Sequence, residues 1–279
     1  MNNRAKVVQR YSEFAEHVLN DNGALAFNQD GLAPRVNTDA DKLAGRIYSD
    51  EQLESIETDA VDASIACGNP LAGINLNPGD TVLDLGCGGG MDCFLAAPEV
   101  GPQGMVIGVD ATPAMIELAK SNKKKMNVDN VDFRVGEIEN LPLKSACVDI
   151  IISNCVIDIS ADKAAVFSEA WRVLKPGGSM TISDTVIQGD IPEPLKSNID
   201  EWAGAVITPL ITLESYLGYI FQAGFENVEV NALNSYGLEA FEELDQASRE
   251  LLLRGLNSWT TLPDETGLYS ARISAVKPL

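Results

Sequence analysis

Two stretches of the 279-residue chain carry residues that can do chemistry. In "VLDLGCGGGMD", Asp84-x-Gly86-x-Gly88-x-Gly90 follows an apolar run directly. Glycines at this spacing let the chain turn tightly and bring backbone N–H groups against a ligand. The dinucleotide fingerprint needs another glycine three residues after Gly88, and Met91 stands there, which weakens the pyrophosphate-cradling version. Asp110 ends the next β-branched run, where a carboxylate can accept both hydroxyls of a ribose. A glycine loop followed by an acid at the end of the second strand points to a nucleoside-bearing cofactor.

The second stretch is "SNCV", residues 153 to 156, within the apolar run "VDIIISNCVIDIS". It puts Cys155 at the carboxyl end of a fourth strand, the place where ligands meet the chemistry in open α/β sheets. Thiolates bind soft, thiophilic centres. A second thiol, Cys67 in "ACGNPLA", sits on a loop that can fold over the cofactor. A single buried cysteine is usually a small hydrophobe, and packing explains Cys87, Cys93 and Cys147. His17 is the only histidine and lies far upstream, so the core offers no histidine base. The arrangement favours a substrate that already presents a lone pair over one that needs deprotonation.

These residues require a particular scaffold. "TVLDL", "GMVIGVD", "VDFRV", "VDIIIS" and "SMTISD" are five strands, with helical periods between them. In "TPAMIELAKSNKKKM", Thr112 is the expected N-cap, Pro113 suits the first helical position, and Met115, Ile116 and Ala119 share one face. The lysines at 123 to 125 favour the dipole at that helix's end. Val166, Phe167, Ala170, Val173 and Leu174 mark another helix, which "KPGG" should stop. Alternating β and α units predict an α/β fold, a doubly wound and mostly parallel sheet covered by helices on both sides.

Three regions follow from this pattern. Residues 1–70 form an N-terminal helical cap. In it Tyr11, Phe14, Val18 and Leu19 share a face, "NDNGALAFNQDG" is loop, and Ser49 with Gln52 opens a helix through a capping box. Residues 71–185 are the cofactor-binding core. Residues 186–279 hold a helix near "LESYLGYIFQAGF", then "NVEVNAL" and a closing strand "LYSARISAV", completing the sheet and covering its active edge.

Composition narrows the function. Twenty Lys and Arg against 41 Asp and Glu give a net charge of −21. Such a field repels phosphate backbones and anionic lipid surfaces, so neither nucleic acid nor a membrane is an expected partner. No stretch approaches the roughly 20 apolar residues of a membrane span, and the N-terminus lacks a secretory h-region. Five cysteines without regular spacing make no disulfide framework, so a reducing cytoplasm is expected.

"LDLGCGGG", "GVD", "GEIENLP" and "RVLKPGG", in this order across residues 79 to 185, resemble the class I methyltransferases that use S-adenosylmethionine. The resemblance implies a seven-stranded sheet with the sulfonium cofactor over the carboxyl ends of strands one and two. Asp84, Gly86, Gly88 and Gly90 would pass its methionine moiety and Asp110 would hold its ribose. Glu137 and Ile138 would flank the adenine, Thr112 and Met115 would belong to the same site, and Asn154 would lie near the departing methyl. Amine-methylating relatives often carry Asn-Pro-Pro-aromatic where this chain has Ser-Asn-Cys-Val.

"CGNPLA", "SNCVIDIS.DK" and "AVKP" together with "GEIENLP" resemble the arsenite methyltransferases more specifically. Those enzymes methylate trivalent arsenic held by cysteine thiolates. By matching position, Cys67 and Cys155 are two of the arsenic-binding cysteines. Two departures stand out: residues 1–46 contain no cysteine, and Glu201 occupies the place of a further binding cysteine. Asp158 stands where a neutral amide is expected. The resemblance implies a trivalent arsenical as substrate, with an exogenous thiol or thioredoxin-like protein as reductant. Two other readings remain open: methylation of another small molecule such as a thiol, and cofactor binding without catalysis.

Overall fold

The computed structural model describes residues 47–64, 66–189, 211–235 and 267–279, with parts of the first 34 residues. Leu25–Asn28 (β1) pairs antiparallel with Gly31–Pro34 (β2), Leu25 opposite Pro34. The stretch expected to be loop therefore contains a strand. Asp30-Gly31 is a hairpin signal in the sequence, but the runs beside it are too short to show a period. On the expected N-terminal helical face, Tyr11 packs beside Ala15, Ala63, Met115 and Leu118, while Leu19 is exposed. Phe14 and Val18 lie outside the described residues, as do Glu201 and Trp202.

Ser49 opens Asp50–Glu54 (α1) with the expected capping box. Its Oγ accepts the Gln52 N–H at 3.2 Å, and Gln52 Oε1 accepts the Ser49 N–H at 3.0 Å. The helix opened here is short and a second short one follows it. Ile56 turns into the core between α1 and Thr58–Asp62 (α2).

The sheet is built from Thr81–Leu85 (β3), Met105–Asp110 (β4), Val131–Val135 (β5), Val148–Asn154 (β6), Leu174–Gln188 (β7), Glu226–Ser235 (β8) and Gly267–Val276 (β9). Their order is β5-β4-β3-β6-β7-β9-β8. β3 to β7 run parallel, and β9 is antiparallel to both of its neighbours. This is the seven-stranded, mostly parallel sheet expected. The C-terminal region completes it through β8 and β9.

Period-2 alternation sends neighbouring apolar residues to opposite faces. Leu83, Leu85 and Ile151 pack with Phe167 and Tyr216 on one face. Val82, Ile150 and Ile152 pack with Phe94 and Ile116 on the other. Lys163–Val173 (α5) and Leu213–Gln222 (α6) cover the first face. Met91–Val100 (α3) and Pro113–Met126 (α4) cover the second. α3 escaped the sequence reading because "MDCFLAAPEV" is buried nearly all round, with Pro98 inside it, and shows no polar stripe.

One helix-end signal acts differently from expectation and one acts as expected. Thr112 occupies the N-cap of α4, but its side chain makes no capping bond. α5 ends at Val173, and Lys175-Pro176-Gly177-Gly178 lies in the first residues of β7. The helix stops because a residue before proline is pushed out of the helical region.

Candidate active site

The turn from β3 into α3 needs its glycines. Gly86, Gly88 and Gly90 have φ of 72°, 49° and 95°, the left-handed region that side chains avoid. A Cβ on Gly86 would also meet Val156 Cγ2 at 2.5 Å. The Gly88 N–H donates to Asp110 Oδ2 at 3.1 Å, and the Thr112 N–H donates to Oδ1 at 2.8 Å. The acid ending β4 is thus fixed against the glycine loop. Each of its oxygens keeps acceptor capacity for a ligand.

Beside the loop lies a buried polar network. Asn154, the last residue of β6, donates from Nδ2 to Gly68 O at 2.7 Å, Tyr48 Oη at 2.9 Å and Asp92 Oδ2 at 3.3 Å. Its Oδ1 accepts the backbone N–H groups of Cys67 at 3.2 Å and Gly68 at 3.4 Å. Tyr48 Oη donates to Asp92 Oδ1 at 2.8 Å. Burial pushes Asp92 up to about 6 against the hydrogen bonds from Tyr48 and Asn154. It pushes Asp84 well above the carboxylate range, aided by the charge of Asp92. Burial also raises Asp110. A cation placed among these three acids would favour their charged forms.

Directly after Asn154 the chain turns left-handed at Cys155, φ 53°. For a residue with a Cβ this costs energy, and such outliers gather at functional sites. The turn is held by the Cys155 N–H, which donates to Ser183 O at 2.9 Å. Cys155 is joined to Cys67 as a disulfide, with Cα atoms 5.9 Å apart. The two cysteines singled out from sequence, 88 residues apart, therefore share one site. A carboxylate oxygen of Asp184, in β7, completes a group whose three ligand atoms lie within 4.8 Å of one another.

A cavity of about 620 Å³ joins these parts, a size that suits a drug-sized ligand. Of the residues expected from sequence, Asp84, Gly86, Gly88, Asp110, Thr112, Ile138, Asn154 and Cys155 line it. Gly90, Met115, Glu137 and Cys67 do not. Gly90 is at the N-cap of α3, where a Cβ would strike Phe94 and Phe133 at 2.8 Å, so its role is packing. Met115 is buried in a side cluster with Ala63 and Leu118, and Glu137 is exposed. Cys93 is buried with its thiol 3.2 Å from Asp84 Oδ2.

Three residues of this site went unnoticed in the sequence: Tyr48, Asp92 and Asp184. Asp184 had a readable signal, an acid late in an apolar strand of the same kind as Asp110. Tyr48 and Asp92 had none, because only the fold brings them to Asn154.

A parallel sheet with a glycine loop, a strand-end acid and a cavity across β3, β4 and β6 defines a class of nucleoside-cofactor enzyme. A methyltransferase-domain family model matches residues 76–232, and the chain belongs to that family. It is 40% identical over 230 residues to an arsenite methyltransferase of Halobacterium salinarum, covering 81% of this chain and 58% of that protein. It is 36% identical over 164 residues to the arsenite methyltransferase of Mus musculus, covering 56% and 43%. The chain thus spans about half the length of these relatives. An arsenic(III) S-adenosylmethionine methyltransferase from Chlamydomonas reinhardtii superposes with a TM-score of 0.61 at 28% identity, covering 88% of this chain and 75% of that one.

Proposed function

We propose that the protein is an S-adenosylmethionine-dependent methyltransferase acting on trivalent arsenic held by the thiolates of Cys67 and Cys155. The observation that carries the reading is the convergence of those two sulfurs at the carboxyl end of β6, beside the cavity. The similarity to arsenite methyltransferases supports it.

The residues present fit the cofactor. Asp84, Asp92 and Asp110 line one wall, where a sulfonium would favour their charged forms, and Asp110 has acceptors for a ribose. Ile138, buried and lining the cavity, offers an apolar contact for a base. S-adenosylmethionine supplies an electrophilic methyl group. The protein's own task is to hold the acceptor in line with it, and Asn154 does this by tying the Cys67 loop to the end of β6. Trivalent arsenic carries a free lone pair, so no general base is required.

The cysteines must be reduced before they can hold arsenic. Two molecules of a small thiol, or one dithiol protein of the thioredoxin kind, convert the disulfide to two thiols and leave as a disulfide themselves. Such a cycle suits a reducing compartment such as the cytoplasm. No helix among the described residues is long and apolar enough to cross a membrane. Glu201 stands in sequence where a third thiolate would be, so the site forms two arsenic–sulfur bonds. Methylarsenite has two exchangeable bonds and is saturated by two thiols, and it is the better substrate. Arsenite keeps a third. The test is incubation of the reduced protein with S-adenosylmethionine, glutathione and each arsenical, followed by arsenic speciation. Absence of methylated arsenic alongside S-adenosylhomocysteine formation with a plain thiol acceptor would overturn the reading.

A further inference from the structure

The thiol pair has a third neighbour that sequence did not assign. Asp184 is fully buried, and one of its carboxylate oxygens lies within 4.8 Å of both Cys67 Sγ and Cys155 Sγ. Its Oδ2 accepts the Tyr216 hydroxyl at 2.5 Å and the Asp158 N–H at 3.1 Å. Its Oδ1 has no hydrogen-bond partner among the described residues. A buried polar atom without a partner is costly, so a carboxyl group with one unpartnered oxygen, standing beside two ligand sulfurs, calls for an explanation. The neighbouring Ser183 Oγ is likewise buried and unpartnered among the described residues.

Building this corner took effort from the fold. Asp184 sits in β7, with Ser183 opposite Asn154 of β6 and Asp184 itself opposite Ala271 of β9. Tyr216, from α6, is completely buried and pins one oxygen in place. The carboxyl group is held rigidly, with acceptor capacity left over, at the third corner of a two-sulfur site.

We propose that Asp184 is the third, oxygen-bearing recognition group of the arsenical site and hydrogen-bonds the hydroxyl that remains on thiol-bound arsenite. The proposal rests on the reading that Cys67 and Cys155 bind arsenic. The binding step balances without redox: two thiols and As(OH)3 give a bis-thiolate As–OH and two waters. Two As–O bonds break, two As–S bonds form, and each thiol proton leaves on a hydroxide. One As–OH remains. A hydroxyl both donates and accepts, so it can bond to the Asp184 carboxyl in either protonation state. Methylarsenite bound to the same two sulfurs has a methyl in that position and gains nothing from Asp184. Asp184 therefore raises the site's affinity for the inorganic substrate and narrows, without reversing, the preference that two thiols give to the methylated one.

Removing Asp184 alone would leave the Tyr216 hydroxyl buried without its acceptor, so the test uses a background that avoids this. Reduced Tyr216→Phe protein is compared with the Tyr216→Phe/Asp184→Ala double variant and with Asp184→Asn. Affinity for arsenite and for methylarsenite is measured by equilibrium dialysis with arsenic quantified in both chambers. Adding Asp184→Ala should lower the ratio of arsenite to methylarsenite affinity about tenfold, the scale of one buried hydrogen bond. Asp184→Asn, whose amide can also bond the hydroxyl, should keep the ratio within about threefold of wild type. An equal loss for both arsenicals, or no change in the ratio, would show that Asp184 has only a structural role. If the reduced wild-type protein binds neither arsenical, the thiol reading itself falls, and this proposal with it.

Discussion

Asn154 Oδ1 accepts the backbone N–H of Cys67 at 3.2 Å, so the last residue of β6 holds the loop that carries the first thiol. The next residue in the chain, Cys155, carries the second. One side chain therefore sets the spacing of both sulfurs. The family resemblance implies that Asn154 lies near the transferred methyl, and Asn154 lines the cavity. Its amide is nonetheless used on protein groups, which makes it a positioning residue.

Asn154→Ala should separate the Cys67 loop from the strand end. It removes bonds to Cys67, Gly68, Tyr48 and Asp92 together. With buried groups left unpaired, the cost is about 1–3 kcal/mol of stability. Arsenical affinity should fall about tenfold, the loss that one or two such bonds would produce. Dialysis against methylarsenite together with a thermal melt reads both. Full affinity in a protein with an unchanged melting temperature would remove Asn154 from this role.

Asp110→Ala should weaken the cofactor. The carboxylate bridges Gly88 and Thr112 and faces the cavity, so the variant loses the proposed ribose contact and loosens the glycine loop. One charge-assisted contact is worth about 1.5–3 kcal/mol, or roughly 10- to 150-fold in affinity. Calorimetric titration with S-adenosylmethionine measures it. Unchanged affinity would move the ribose elsewhere.

Much of this site was legible because its signals are local. Asp84 to Gly90 and Asp110 are punctuation between strong period-2 runs, and a strand-turn-helix unit can place them in only one way. Cys155 was legible for the same reason. The network around Asn154 was not, since Tyr48, Cys67 and Asp92 come from separate parts of the chain and meet only through the fold. Helix α3 was missed because a segment buried on all sides shows no amphipathic period. Gly90 and Met115 do not line the cavity. Both belong to the neighbourhood that the motif marks, yet their side of the chain faces packing and not the cavity.

Asp158 makes stability depend on pH. Burial pushes its carboxyl from 3.8 to about 6, against the opposing pull of Lys163. Asp184, hydrogen-bonded to its N–H, is raised too. A raised carboxyl favours folding while protonated. Its contribution is therefore fully present below about pH 4 and lost as pH rises through about 6. Asp158→Asn, which installs the neutral amide expected from sequence, should stabilise the protein at pH 7 by about 1–3 kcal/mol. It should also flatten the stability profile between pH 4 and 6. Denaturant unfolding at pH 4, 5, 6 and 7 tests this, and a variant that is less stable than wild type at pH 7 would refute it.

The thiols themselves give the sharpest test. Cys67 and Cys155 meet at one site, whereas Cys93, in α3, is buried against Asp84. Serine offers a hard, poorly acidic hydroxyl in place of a soft thiolate. Cys155→Ser should therefore abolish turnover of both arsenicals, and Cys67→Ser should come close to doing so. Cys93→Ser should be mild, since it trades one small buried donor for another. In the wild type, methylarsenite should turn over faster than arsenite, and added small thiols should help arsenite more by filling its third position. Steady-state methylation of both substrates by the four proteins, with and without glutathione, decides the matter. Faster turnover of arsenite without added thiol would contradict a two-thiol site. An active Cys155→Ser enzyme would mean that the thiol at the end of β6 does not hold arsenic.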